Sequence, residues 1–252
     1  AYDDHFIVKH IRVIELEKLK LLQGAKYSQS ELGNTYIHVL DDLLDGKIVL
    51  FVGTPCQVQG LKAFLNKDYP NLICLDFVCH GIPSPIVWSK YVHYRSNKDN
   101  SGECPVSINM RSKKTGWSHY QYSSEFIYYK HAYLAQNGCD EFMNLFIGDY
   151  INRLSCNQCH ARGLHRVSDI TLGDFWGIWD CLPSMDDNKG TSLVLIHSPK
   201  GKEIFDTVRQ RIVIRPVTYN EAIAQNPAIV KSSALKPERQ YYIQQAINGN
   251  FN

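Results

Sequence analysis

Eight cysteines stand at positions 56, 74, 79, 104, 139, 156, 159 and 181 of this 252-residue chain. Only Cys156 and Cys159, in the run CNQC, have ligand spacing. Cysteines three apart can turn both sulfurs toward one metal, and the same spacing serves a redox dithiol, half a zinc site or half an iron–sulfur site. Two further thiols stand where apolar runs end. Ile48–Val52 leads into Gly53-Thr54-Pro55-Cys56, and Leu72–Val78 leads into Cys79-His80-Gly81. Cys74 lies inside the second run and reads as a packed small hydrophobe, as do Cys104, Cys139 and Cys181. Taken together, Cys56, Cys79, Cys156 and Cys159 make four thiolates, a complement that suits tetrahedral zinc or a [4Fe–4S] cluster. No P-loop, no G-x-G-x-x-G after a strand and no H-x-x-x-H pair accompanies them, and no acid–base or nucleophilic residue is assigned.

Positioning four thiols from three distant stretches needs a folded body, and the totals supply one. Apolar residues are 44% and charged residues 21%, ordinary values for a globular protein with a sizeable core. The net charge is +2 and no basic tract stands out, so nothing points to nucleic acid. The longest apolar runs have strand length, well short of the ~20 residues of a membrane-spanning helix. With no charged-then-apolar leader at the start, the expected location is cytoplasmic, where cysteines serve metals and redox chemistry rather than disulfide frameworks.

The patterning predicts alternating strands and helices. FIVKHIRV alternates like a strand, and ELEKLKLLQG reads as a short helix stopped by Gly24. NTYIHVLDDLLDG puts Tyr36, Val39, Leu40, Leu43 and Leu44 on one helical face, with Asn34 as N-cap. Strand Ile48–Val52, a helix over about 57–66, strand Leu72–Val78 and a helix opened by Pro85 follow. Continuous apolar strands joined by helices imply parallel pairing. The fold class is therefore α/β, with a mixed, largely parallel sheet, helices on both faces and an inserted antiparallel β-hairpin at about 104–130. Residues 1–252 read as one composite domain. The hairpin comes from PVSINMRS and SHYQYSSEFIYY around the turn KKTGW, and 137–159 reads as a helix and a loop. SDITLGDFWG, TSLVLIH and IVIRPV read as strands. SPKGKEIFDTV reads as a helix after Ser198, and TYNEAIAQ as one carrying a Thr218/Glu221 capping box. Ligands of such sheets bind at the carboxyl ends of strands, where Cys56 and Cys79 both stand. If the two strands are neighbours they lie ~4.8 Å apart, and both thiols could reach one centre.

The segments GAKYSQSELGNTY, VLFVGTPCQVQGLKAFL, LDFVCHGIPSPIVWSKY, INMRSKKTGW, SCNQCHARGLHRVSDITLGDFWGIW and KGTSLVLIHSPKGKEIF occur in this order. In that combination the chain, from about Phe6 to Arg239, resembles the coenzyme F420 hydrogenase/dehydrogenase beta-subunit family in its C-terminal domain. The resemblance implies an oxidoreductase that binds FAD and a [4Fe–4S] cluster. Such a protein passes electrons between a hydride carrier, F420-like or nicotinamide, and one-electron acceptors. Carried onto this sequence, the cluster ligands would be Cys56, Cys79, Cys156 and Cys159. The flavin would lie against Lys26, Tyr27, Gln29 and Ser30 and against Gly53, Thr54 and Pro55. His80, Gly81, Arg111, Lys113, Trp117 and the run Gly173, Asp174, Phe175, Trp176 would complete its site. The family's usual upstream ferredoxin-like segment, with its C-x-x-C-x-x-C run, has no counterpart here, so a ferredoxin-like domain or protein is an expected partner. Oligomerisation is left open. The rival readings are a zinc- or metal-stapled binding or scaffold domain, and a degenerate apo relative without redox activity.

Overall fold

The computed structural model describes residues 1–163 and 165–251. In chain order the elements are α1 (Thr35–Leu44), β1 (Val49–Gly53), α2 (Pro55–Leu65), β2 (Leu72–Phe77) and α3 (Pro85–Asn100). Then come β3 (Ser107–Ser112), β4 (Ser123–Ile127), β5 (Ala132–Gln136), α4 (Glu141–Ile147) and α5 (Leu154–Asn157). The last six are β6 (Ile170–Asp174), α6 (Ile178–Cys181), β7 (Ser192–Ile196), α7 (Pro199–Val208), α8 (Tyr219–Ala224) and α9 (Arg239–Ile247). The chain divides into two compact units. One comprises Ala1–Gly33, Gly81–Gln158 and Ser233–Asn252, and the other Asn34–His80 and Cys159–Ser232. Among the described residues no helix is long and apolar enough to cross a membrane.

The second unit holds a four-stranded sheet in the order β1-β2-β6-β7. The first three strands run parallel and β7 is antiparallel to β6, so the sheet is mixed and largely parallel, as the apolar runs predict. α2 starts immediately after β1 because Pro55 occupies its first turn and the Gln57 side chain accepts the Thr54 N–H at 2.9 Å. It ends at Asn66, which adopts a left-handed φ of 52°. Val58 and Leu61 on its inner face are fully buried, and Tyr36 of α1 meets Phe51 of β1 edge-on at 5.9 Å. Asp76, inside β2, is a buried charge. Arg166 lies 3.3 Å from both its carboxylate oxygens, and the Thr171 hydroxyl donates to it at 2.5 Å. Asp169 ties three strands and a helix together. It accepts the Cys74 N–H at 2.8 Å and the hydroxyl of Ser198, the N-cap of α7, at 2.6 Å, while its carbonyl accepts the His197 N–H at 2.9 Å.

In the first unit an antiparallel sheet, β3-β4-β5, packs around α3 and α4. The expected hairpin is there, and a third strand, β5, extends it after a short turn. Trp88 and Tyr91 of α3 are buried against Phe126 and Phe142. Arg95 pairs with Asp99 at 2.5 Å and with Glu141 at 3.2 Å, and lies 3.4 Å over the Tyr133 ring.

Two predicted strands are absent. Among the described residues FIVKHIRV makes only the isolated bridges Tyr2↔Val8 and Lys9↔Glu31, because Asp3 and the positive φ of Phe6 (58°) turn the chain back on itself. IVIRPV pairs with no strand among the described residues, and Pro216 within it lacks the N–H that a ladder requires. ELEKLKLLQG forms a 3-10 stretch, Leu16–Leu22, rather than an α-helix.

Candidate cofactor-binding site

β1 and β2 are neighbours, and their register pairs Gly53 with Asp76. Cys56 and Cys79 each stand three residues beyond that matched pair, at equivalent places past the carboxyl ends of adjacent parallel strands. Cys56 opens the first turn of α2 and is exposed, with the Thr54 hydroxyl 3.1 Å from its sulfur. The β2–β6 ladder runs on to Val78, whose N–H bonds the Leu172 carbonyl at 2.8 Å, so Cys79 follows directly on a paired residue. β6, parallel to β2, brings the GDFW run to the same end of the sheet. Gly173 makes that approach feasible, since a Cβ there would sit 2.7 Å from Cγ2 of Val78. Phe175 is buried with Ile178, Leu193, Ala222 and Ile229, and Asn226 donates to the Asp174 carbonyl at 2.9 Å, so the loop after β6 is anchored by the core. The second unit therefore brings together Gly53, Thr54, Pro55, Cys56, Cys79, His80 and Gly173 to Trp176.

Cys159 belongs to the same unit. Its N–H bonds the Ser232 hydroxyl at 3.1 Å. Three residues on, Arg162 gives Nη1 to the carbonyls of Ala228 (2.8 Å) and Lys231, and Nη2 to the carbonyl of His80 at 2.6 Å. Gly163 N–H bonds the Ile229 carbonyl at 2.9 Å. Nothing in the sequence singles out Arg162, because its partners are main-chain carbonyls distant in the chain.

The first unit carries the other predicted residues. The Arg111 guanidinium donates to the Tyr27 hydroxyl at 2.6 Å and lies 4.3 Å from the Trp117 ring centre and 4.1 Å from that of Tyr122. Lys113 lies 4.7 Å from the same indole, and Tyr27 packs on Phe146 at 5.0 Å. Tyr27, Arg111, Lys113 and Trp117 thus form one cationic, aromatic cluster. Gln29 accepts from Arg153 at 2.7 Å, and Ser30 lies 2.7 Å from Nδ1 of His10. Lys26 donates to the Gln23 carbonyl at 2.7 Å, and burial lowers its pKa. A Cβ on Gly81 would meet the Asn152 side chain at 2.9 Å. Cys156 lies in α5 and bonds the Arg153 carbonyl through its N–H at 2.9 Å.

None of the eight cysteines forms a disulfide. Cys74 is buried as expected, and burial pushes its thiol up to about 11. Cys104 and Cys139 are exposed instead of packed. Among the described residues no three His, Cys, Asp or Glu side chains are placed to hold a metal ion. What matches an iron–sulfur group is the donor chemistry, not a placed set of three ligands. The predicted donors are thiols at loop and helix starts. Close to two of them, Arg162 Nε is a buried donor with no acceptor among the described residues, which leaves one donor for an anionic group.

The fold is that of an α/β protein with a mixed sheet, whose parallel strands deliver thiol- and glycine-bearing loops to the end at which ligands of such sheets bind. Residues 46–221 match the family described as the C terminus of the coenzyme F420 hydrogenase/dehydrogenase beta subunit, and the chain belongs to that family. It is an oxidoreductase subunit of the F420 hydrogenase/dehydrogenase type. No curated protein matches the chain.

Proposed function

We propose that this chain is an iron–sulfur flavoprotein of the cytoplasm that moves electrons between a hydride carrier, F420-like or nicotinamide, and one-electron acceptors. A ferredoxin-like domain or protein is the proposed partner. The observation that carries this reading is the equivalent placement of Cys56 and Cys79 past adjacent parallel strands. With Cys156 and Cys159 they are the proposed ligands of one [4Fe–4S] cluster. When bound, FAD supplies the exchange between two-electron and one-electron transfer, and the cluster supplies the one-electron relay.

The protein's part is to bind and orient. Arg111 and Lys113, braced on the Trp117 indole, present fixed positive charge suited to phosphate or to a reduced flavin. Lys26, Tyr27, Gln29 and Ser30 are further proposed flavin contacts. The loops Gly53-Thr54-Pro55, His80-Gly81 and Gly173 to Trp176 would complete the flavin site, their glycines allowing close packing on Gln57, Asn152 and Val78.

Anaerobic reconstitution with FAD, iron and sulfide tests the proposal. The expected result is brown protein with flavin absorbance, holding about four iron and four sulfide per chain, as a cysteine-ligated cubane requires. Cys159→Ser should abolish the cluster absorbance and leave the fold intact. Colourless protein holding one zinc would defeat the proposal in favour of a metal-stapled scaffold, and protein that takes up nothing would defeat it in favour of an apo relative.

A further inference from the structure

We infer that Arg162 is a positioning residue: it holds the Cys79 and Cys159 turns together and gives a hydrogen bond to the sulfur group those thiols carry. The inference rests on the ligand roles proposed above. Its basis is the guanidinium itself. Arg162 lies three residues after Cys159, and its Nη2 reaches the carbonyl of His80, the residue next to Cys79. Its Nη1 is spent on the carbonyls of Ala228 and Lys231. One planar fork therefore spans both turns and the segment behind them. That segment is anchored, because the 3-10 turn Pro227–Ile229 puts Ile229, fully buried, into the hydrophobic cluster around Phe175. The same segment binds the Cys159 turn through Ser232 and through the Ile229 carbonyl.

The remaining donor points to a ligand. Nε of Arg162 is buried and has no acceptor among the described residues. A buried N–H left without an acceptor is costly. Its three acceptors are neutral carbonyls, and no carboxylate among the described residues pairs with it, in contrast to Arg166 on Asp76. No protein anion among the described residues balances its charge, so an acceptor-bearing anion would satisfy both the charge and the spare donor. Thiolates at the flanking turns, and the sulfides they would bind, supply that charge and accept hydrogen bonds. Such bonds to sulfur raise the reduction potential of an iron–sulfur cluster.

The test compares wild type with Arg162→Gln, which loses charge and fork, and Arg162→Lys, which keeps the charge and loses the fork. In cofactor-free protein, residue-resolved alkylation with iodoacetamide should be several-fold faster at Cys79 and Cys159 in R162Q, with an intermediate gain in R162K. Cys74 should stay protected, which reports that the fold is intact; if R162Q exposes Cys74, R162K alone decides. In reconstituted protein, both variants should bind iron and sulfide with a lower midpoint potential and an altered electron paramagnetic resonance spectrum. Unchanged alkylation overturns the positioning role, and an unchanged potential with iron retained overturns the hydrogen bond to sulfur. Wild type that takes up no iron and sulfide defeats the cluster reading instead, and the alkylation rates then decide the positioning role by themselves.

Discussion

Asp76 and Arg166 illustrate how a single residue can serve structure beside a site. Asp76 is a charge in the middle of an otherwise apolar strand, and its side chain is 2% exposed. Burying it is tolerable only because Arg166 and the Thr171 hydroxyl satisfy it. Arg166→Met should therefore cost ~3–5 kcal/mol, the typical penalty for stranding one partner of a buried pair. Asp76→Asn in the same chain should recover part of that loss, because the uncompensated charge is then gone. Urea unfolding of the single and double variants measures both. A single variant with wild-type stability would mean that the pair contributes nothing. Arg162 sits on a neighbouring stretch of chain yet has no carboxylate among its described partners, so the two arginines do different work.

At the scale of elements, the spacing between β2 and β6 depends on one missing side chain. Gly173 faces Val78 where β2 gives way to the Cys79 turn. Val78 is branched at Cβ and has little rotamer freedom with which to retreat. Gly173→Ala should therefore destabilise the second unit by ~1–3 kcal/mol, as overpacking does elsewhere. Val78→Ala should relieve it, and a double-mutant cycle by chemical denaturation would register the coupling. Additive effects of the two changes would show that the strands have room to spare. The helix starts were readable in advance. Ser198 caps α7, accepting from Gly201 N–H at 2.9 Å, and Thr218 with Glu221 forms the expected capping box on α8. Capping is a local interaction written within four residues, which is why it survives folding unchanged. The lost strand FIVKHIRV shows the opposite case: alternation says nothing of a positive φ at Phe6.

Over the whole molecule, each unit is assembled from discontinuous chain. The first needs three stretches, and its last returns to cover α3. Phe251 is 5% exposed and packs on Tyr91 at 5.0 Å and Tyr94 at 5.3 Å. Arg239 and Ala234 of the same stretch bond the Asn152 carbonyl at 2.7 Å and Asp149 at 2.8 Å. Phe251→Ala should cost ~3–5 kcal/mol, the range for an aromatic truncated in a core. It should also lower hydrogen-exchange protection along α3. Unaltered protection there would mean that the last stretch lies on the unit without stabilising it.

The residues alone determined the strands of the four-stranded sheet, which thiols follow two of them, and where several helices begin, though not that FIVKHIRV and IVIRPV fail to pair. Those properties depend on neighbours within a few positions. Only the tertiary structure decided that β1 and β2 lie side by side with Gly53 opposite Asp76, which makes the two strand-end thiols equivalent. It alone decided that Arg162 reaches carbonyls 66, 69 and 82 residues away. Main-chain carbonyls carry no residue identity, and strand order is chosen by the packing of the entire sheet, so neither can be read from local pattern.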